Sequence, residues 1–409
     1  METQIVAPKC PLFGTCGGCS SQHIPYEVQV ENKKKQVESL LRRARPDWTG
    51  ELEAVAGAPF EYRNRMDFVF SPSISGVGLR VKGKWWDIVP VPDCPISNTS
   101  LNTLLQEVND WAKETNGLQP FDIKKSQGTL RYAVIRTNKN GSDSSISFVL
   151  NEDSSRLQEH IEKIKAFAEH TSAKHVVITY VPAKNDMSIS TEHFAVKESE
   201  GQGEDGAHDD ESASESETLT ETFLGRAMRY PVQGFFQNNP AMAERMLTHT
   251  REILQREIKD KAGAYIADIY GGVGTFAIAV ADLCALGITV ESFEESTQFA
   301  RKNLDENGFT HMKSVCIDAA QLKKLELEKK AAGKDLFLIL DPPRSGMHPK
   351  TILEINRLGP RLIVYISCNP EQLAKELVGF KSHSIESVTV FDLFPQTPHV
   401  ETVVVLKKK

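Results

Sequence analysis

Near the carboxyl-terminal end of the chain, an apolar run ends in a thiol. In "RLIVYISCNPEQL", residues 361–373, the apolar stretch ends at Ser367, and Cys368-Asn369-Pro370 follows. A cysteine inside the run would be a small core residue, whereas one at a strand exit faces what lies beyond the sheet. Two further stretches supply partners for such a thiol. "LFLILDPPRSGMH" ends a buried strand in Asp341-Pro342-Pro343-Arg344, where two prolines commit the backbone to leaving the sheet. "FPQTPHVETVVV" places His399 and Glu401 just before a final apolar strand.

A thiolate, a nearby carboxylate or imidazole, and a bound methyl donor would suffice for one demanding reaction. C5 of a uracil is a poor nucleophile. Addition of a thiolate at C6 turns the ring into an enolate, whose C5 can attack an electrophilic methyl group. A base must then remove the C5 proton before the thiol can leave. The donor site is suggested by "DIYGGVGTF", a strand followed by a glycine-rich turn and a helix. Glu291 ends the next strand, where an acid can hold ribose hydroxyls. The turn lacks the strict G-x-G-x-x-G of dinucleotide sites, and S-adenosylmethionine has no pyrophosphate to cradle. Asp318, after the third strand, is placed to reach an adenine amino group. The Asp341-Pro-Pro turn is related to the signature of amino-methylating enzymes, but Arg344 stands where those use an aromatic residue to stack the base.

The elements that must position these residues alternate. After a helix over 240–258, opened by Asn239 and Pro240, strands at 264–270, "ITVE", "KSVCID", "LFLILD" and "RLIVYIS" are separated by helical stretches. Two last strands, "IESVTVFDLF" and "VETVVVLK", are joined by a proline-containing loop. This order predicts a doubly wound α/β domain over 232–409, its mostly parallel sheet carrying an antiparallel edge strand and its ligand crevice at the strands' carboxyl ends. Residues 1–231 read differently. Short alternating runs punctuated by Gly, Pro and Ser predict antiparallel strands in an α+β region. A basic amphipathic helix over 26–44 is able to pack on the following domain.

Seven cysteines, an odd number, argue against a disulfide framework. Four of them, Cys10, Cys16, Cys19 and the distant Cys94, form a candidate set for zinc or an iron–sulfur cluster. The net charge of −7 at first disfavours nucleic acid, but residues 198–222 hold ten acids and no Lys or Arg. Taking those ten negative charges away from −7 leaves +3 for the rest of the chain. The acidic tract is too polar to bury itself and is expected to be a disordered insertion. Arg63, Arg65, Lys82 and Lys84 could meet phosphates. The chain has no run of about 18 apolar residues and no leader-like amino terminus, so a monomeric cytoplasmic protein without a membrane span is expected.

Taken together, "GFFQNNPAM", "DIYGGVGTF", "LDPPRSG", "YISCNPEQLAKEL", "PHVETVVVL" and "CPLFGTCGGC" resemble the RNA uracil-C5 methyltransferases, which make 5-methyluridine in tRNA and large-subunit ribosomal RNA. The resemblance runs over nearly the whole chain. It implies a Rossmann-like class I methyltransferase domain, with Cys368 as nucleophile and Glu401 as the base. It implies a methyl-donor site lined by Gln237, Tyr270, Thr275, Glu291, Asp318 and Asp341, the last also touching the uracil. Phe235 would contact a flipped-out nucleotide, because C5 and C6 must reach both thiol and methyl; one of Phe235 and Phe236 is expected to be core. The four cysteines would hold a [4Fe–4S] cluster. Two departures stand out. The family often has Cys where Gly271 stands, and no barrel domain of the kind some ribosomal RNA members carry precedes Cys10. Two rival readings are an amino-methyltransferase built on the Asp341 turn and a non-catalytic iron–sulfur RNA-binding protein.

Overall fold

The structure, a computed structural model, describes residues 5–197 and 217–409. The chain forms two compact units that interleave in sequence. The first takes Met1–Ile24, Ala58–Glu221 and Tyr230–Pro240, and the second takes Pro25–Gly57, Thr222–Arg229 and Ala241–Lys409. The single boundary expected after residue 231 is therefore replaced by several crossings. The reason is non-local pairing. Helix α1 (Tyr26–Ala44) sends Val37 and Leu41 into the second unit's apolar core, and strand β1 (Leu52–Val55) extends that unit's sheet. A four-residue strand carries no label in sequence saying which sheet it joins.

The first unit is built on β2 (Arg65–Phe70), β3 (Val77–Val81), β4 (Lys84–Pro90), β5 (Leu130–Thr137), β6 (Ser144–Asn151), β7 (His175–Val181) and β8 (His193–Lys197). These form one seven-stranded sheet in the order β4-β3-β2-β5-β6-β7-β8. Every neighbouring pair is antiparallel except β6 and β7, which run parallel because a helix crosses over between them. That helix is α3 (Leu157–Ala168). With α2 (Thr99–Glu114) it covers the sheet, and Trp111, Phe148 and Phe167 meet edge-on and tilted in the core. Asn98 caps α2 by accepting from the Leu101 amide at 2.8 Å.

A hairpin of β9 (Thr218–Phe223) and β10 (Arg226–Pro231) forms its own two-stranded sheet. This corrects the expectation of disorder over 198–222. Residues 198–216 lie outside the described residues, but 218–222 are strand. "TLTETF" alternates with Leu219, Glu221 and Phe223 buried, a period that the acidic bias of the tract had hidden. The buried Glu221 carboxylate accepts from the Lys139 amide at 2.7 Å.

The second unit holds an eight-stranded sheet ordered β1-β16-β17-β15-β14-β11-β12-β13. Its further strands are β11 (Ala264–Ile269), β12 (Leu286–Glu291), β13 (Met312–Cys316), β14 (Asp335–Leu340), β15 (Leu362–Ser367), β16 (His383–Phe391) and β17 (Glu401–Lys408). All pairs are parallel except those of β17, which is antiparallel to both β15 and β16. The antiparallel strand expected at the edge is thus interior, because β16 and then β1 close the sheet outside it. Helices α4 (Pro240–Glu257), α5 (Thr275–Val280), α6 (Glu294–Glu306), α7 (Leu327–Lys330), α8 (Pro349–Leu358) and α9 (Pro370–Leu377) complete the fold. β14 from Leu336 to Leu340 and β15 from Leu362 to Ile366 are continuously apolar and buried, as strands covered on both faces require. Prolines at the start of α8 and α9 follow capping side chains of His348 and Asn369, so both helices begin abruptly, α9 directly after the turn that ends β15. Among the described residues no helix is long and apolar enough to cross a membrane.

Candidate active site

The second unit's sheet brings a line of polar groups to one edge. Ser367 pairs with Thr402 in the antiparallel β15–β17 ladder, so one step further out Cys368 stands opposite Glu401. Directly opposed residues on antiparallel strands point to the same face, with Cβ atoms about 5 Å apart. On the other side of β15, Leu340 pairs with Tyr365, and Asp341 follows at the end of β14. The row continues through Tyr270 at the end of β11 and Glu291 at the end of β12, whose partner in β13 is Cys316.

The thiol and its neighbours share one electrostatic environment. Burial, helped by the Glu401 and Asp341 carboxylates, pushes the Cys368 thiol up to about 11 against the opposing Arg344 guanidinium. Glu401 is raised well above the usual carboxylate range by burial, then by Asp341, again against Arg344. Asp341 is raised to about 7 by burial and by Asp268. Several acids so close in a poorly solvated place cannot all ionise, and the exposed Arg344 is the cation that favours the charged forms of the Cys368 thiol and the Glu401 carboxyl.

The two turns that carry these groups are tied together. Asn369 caps α9 and donates from Nδ2 to the Arg344 carbonyl at 3.0 Å, linking the Cys368 turn to the Asp341 turn. Glu376 on α9 accepts from the Met347 amide at 2.7 Å, from Gln372 at 2.8 Å and from the Tyr365 hydroxyl. Gly346 is pressed against it: a Cβ there would lie 2.0 Å from Glu376 Oε1, and φ is +84°. Glu376 was missed in the sequence, although its signal was present. It sits at helical spacing with Leu373, Leu377 and Phe380, an acid on an apolar face.

The glycine-rich turn is shaped by Tyr270, in the left-handed region at φ 68°, and by Gly272 and Gly274 at 54° and 86°. Gly271 has no room for a side chain, because a Cβ would fall 1.9 Å from Thr289 Oγ1 and 2.9 Å from Asp268 Oδ2. In this chain Thr289 occupies the space that a residue other than glycine at 271 would need. Asp268 also escaped the sequence reading. It is fully buried, accepts from the Ala277 amide at 3.0 Å, leaves Oδ1 without a partner, and is raised to about 7 mainly by burial. Glu291 is held by the Gly272 amide at 3.1 Å and by the Ser292 and Phe293 amides at 2.6 and 3.1 Å. Beside it Phe293 exposes 72% of its surface. Thr275 opens α5, and Asp318 caps the following 3-10 turn through the Ala320 amide at 2.7 Å.

Tyr270, Thr275, Glu291, Asp318, Asp341, Cys368 and Glu401 thus belong to one unit and one end of its sheet. Gln237 and Phe235 belong to the first unit. Phe236 is the core member of its pair, stacked on Tyr230 at 3.9 Å, whereas Phe235 is 75% exposed. Phe235 lines an open groove of about 990 Å³ with Arg63, Arg65, Lys82, Lys84 and Trp85. Arg65 is engaged by Asp67 at 3.1 Å and Arg80 by Asp186 at 2.8 Å, while Lys82 and Lys84 are exposed.

Cys10, Cys16, Cys19 and Cys94 are all free thiols of the first unit. Burial raises the first three, Cys19 to about 11, and Cys94 adds to each shift, so the four groups feel one another. Backbone anchors fix their loops: Cys10 N donates to Gln22 Oε1 at 2.9 Å, and Cys94 exchanges two hydrogen bonds with Asn102 at 3.1 Å. Among the described residues no group of three or more His, Cys, Asp or Glu side chains is placed to hold a metal ion.

Known proteins agree on what this arrangement belongs to. The family model for tRNA (uracil-5-)-methyltransferase matches residues 215–409. An RNA methyltransferase of Clostridium tetani is 32% identical over 99% of this chain and 84% of its own length. The tRNA (uracil(54)-C(5))-methyltransferase of Pyrococcus abyssi is 29% identical, covering 97% of this chain and 85% of that protein. The crystal structure of the Pyrococcus abyssi tRNA (uracil-54, C5)-methyltransferase in complex with S-adenosyl-L-homocysteine matches with a TM-score of 0.73 at 26% identity, over 95% of this chain and 85% of that one. A protein with this sheet edge and these relatives is an RNA uracil-C5 methyltransferase that uses S-adenosylmethionine, and the chain belongs to the tRNA (uracil-5-)-methyltransferase family.

Proposed function

We propose that the chain methylates C5 of a uridine in transfer RNA, with Cys368 as nucleophile and Glu401 as base. What carries this reading is the β15–β17 ladder, whose last pair, Ser367 with Thr402, leaves Cys368 and Glu401 facing each other one step beyond it, with the Glu401 carboxylate acting on the thiol. The Cys368 thiolate adds to C6 of the uracil, and the ring's electron pair moves toward O4. C5 then attacks the sulfonium methyl, and S-adenosylhomocysteine leaves. Glu401 takes the C5 proton, the C5–C6 double bond re-forms, and the thiolate is expelled. Tyr270, Thr275, Glu291 and Asp318 are the donor-site residues at this edge, and Asp341, between Tyr270 and Cys368, is placed to meet both donor and uracil. Gln237 is assigned to the donor site through the family resemblance. Transfer RNA is favoured over ribosomal RNA because relatives from Pyrococcus abyssi and Pyrococcus horikoshii are named tRNA (uracil(54)-C(5))-methyltransferases. An amino-methyltransferase would have no use for the paired thiol and carboxylate.

For the four cysteines we infer a [4Fe–4S] cluster. Thiolates around a four-iron cube stand farther apart than around one ion, since each binds its own iron, so the lack of a single-ion site does not count against it. The donor set fits: four thiols in mutual electrostatic reach, three of them raised by burial, gain from a cationic cluster that stabilises the thiolate form. When bound it would brace the loops of Cys10–Cys19 and Cys94. The Gly17 amide donates to the Arg80 carbonyl at 2.9 Å, which joins these loops to the groove strand β3. Arg63, Arg65, Lys82, Lys84, Trp85 and Phe235 are proposed to take the RNA, with cations for phosphates and aromatics for unstacked bases. The protein is expected to act as a cytoplasmic monomer.

Glu401→Gln is expected to trap a covalent protein–RNA adduct on a denaturing gel, and Cys368→Ala to form no adduct and transfer no tritiated methyl. An intact Cys368 with no adduct in the Glu401→Gln protein would count against both roles. The pH dependence has a definite sign. Thiol and base both have raised pKa values and must both lose a proton, so kcat/KM should climb with rising pH through the neutral range and go on climbing toward about pH 11, where the thiol ionises. Arg344→Ala removes the opposing cation and should displace that rise to higher pH; a flat profile would contradict the assignment. Protein purified without oxygen should contain iron and acid-labile sulfide, and Cys19→Ser should lose both. Lys82→Ala/Lys84→Ala should weaken tRNA binding and lower the salt slope by roughly one for each phosphate no longer neutralised, with binding of S-adenosylhomocysteine unchanged.

A further inference from the structure

The loop between β16 and β17, residues 392–400, is unusual for a connection. Asp392, Leu393, Pro395, Gln396 and Thr397 are buried, and only Pro398 and His399 are exposed. Buried loops are rare because their backbone polar groups must find partners away from water. Here α1 supplies several of them. Lys33, itself buried, forms an ion pair with the buried Asp392 at 2.6 Å and donates to the Phe394 carbonyl at 3.1 Å. Gln29 and Gln396 exchange two hydrogen bonds, Gln29 Nε2 donating to Gln396 Oε1 at 3.0 Å and the Gln396 amide donating to Gln29 Oε1 at 3.1 Å. Gln396 adopts φ 67°, a conformation that a non-glycine residue keeps only when its surroundings enforce it. The Asp392 amide donates to the Val55 carbonyl at 3.0 Å, next to β1.

The pattern on α1 is informative. Its buried residues are Gln29, Lys33, Val37 and Leu41, four apart along one face. Val37 and Leu41 pack as an amphipathic helix requires, whereas the first two positions are polar and matched group for group to the loop. Simple docking would be served by apolar residues at all four, and burying a lysine is costly without a specific partner. The loop leads within five residues from Gln396 to Glu401, the residue opposite Cys368.

We propose that Lys33 and Gln29 are positioning residues for removal of the C5 proton. They hold the 392–400 loop in the conformation that delivers Glu401 against the adduct and keeps His399 and Pro398 outermost beside it. This rests on the assignment of Glu401 as base, and the experiment separates the two. Lys33→Met and Gln29→Leu are assayed in the full-length protein with tRNA and S-adenosylmethionine, beside Glu401→Gln. If the loop is loosened, methylation proceeds as far as the adduct and stalls at proton removal. Both variants should then accumulate the covalent protein–RNA species, with kcat down on the order of tenfold and KM for tRNA little changed. Lys33→Met alone leaves the buried Asp392 without its cation, so Lys33→Met/Asp392→Leu removes both charges and keeps the result readable if the single variant folds poorly. Adduct accumulation in the double variant, at restored thermal stability, supports the proposal. Lower stability and less active protein with adduct at the wild-type level would mean that the contacts only hold the helix down, and would overturn it. If Glu401→Gln itself traps no adduct, the assignment of the base fails first.

Discussion

The antiparallel insertion of β17 between β15 and β16 is the constraint on which the site depends. In a wholly parallel sheet, the residue that opens a strand lies at the edge opposite to the residues that close its neighbours. Reversing one strand brings its first residue to the carboxyl edge. Glu401 begins β17 and therefore meets Cys368, which follows the end of β15. A slip of one residue would turn the carboxylate to the other face and leave the thiol without its partner. The β15–β17 ladder holds that register from Leu362 opposite Lys407 to Ser367 opposite Thr402, and the β16–β17 ladder, after a one-residue shift between Ile385 and Ser387, holds from Ser387 opposite Val405 to Phe391 opposite Glu401.

This geometry concentrates acids where water is scarce. Asp268 and Asp341 titrate near 7 in the folded protein, against about 4 in an unfolded chain, so the folded state holds more protons between those values. Ionising these groups therefore lowers folding stability as pH rises through that interval. A fold optimised for stability alone would not keep them. Asp341 acts on both Cys368 and Glu401, and Arg344 opposes the upward shifts of those two groups. The surrounding framework is correspondingly firm: Asn369 ties one turn to the other, and Glu376 gathers the Met347 amide, Gln372 and Tyr365 behind them.

The interleaving of the two units follows from the same need. α1 and β1 precede most of the first unit in sequence yet belong to the second, where β1 extends the sheet beside β16 and α1 satisfies the buried loop ahead of Glu401. The active sheet is thus completed by chain that a linear division assigns elsewhere. Interleaving makes folding of the second unit depend on contacts far apart in sequence, a slower but more specific arrangement than a consecutive domain.

Local chemistry and periodicity were enough to read the strand-turn motifs that end in Tyr270, Glu291, Asp318, Asp341 and Cys368, since each is a short apolar run closed by glycine, proline or an acid. The alternation of strands and helices after residue 240 likewise implied the parallel sheet and the edge at which its ligands bind. What needed the tertiary structure was everything set by distant pairing. The interior place of β17, the membership of α1 and β1, and the strand at 218–222 beneath a run of acids all depend on partners remote in sequence. So do the buried roles of Asp268, Glu376, Lys33 and Gln29, whose polar side chains look like surface residues until the groups they meet are in place. A motif records which residue types stand near one another along the chain, whereas strand register and burial are decided by which segments exclude water together, and only the folded chain brings those segments into contact.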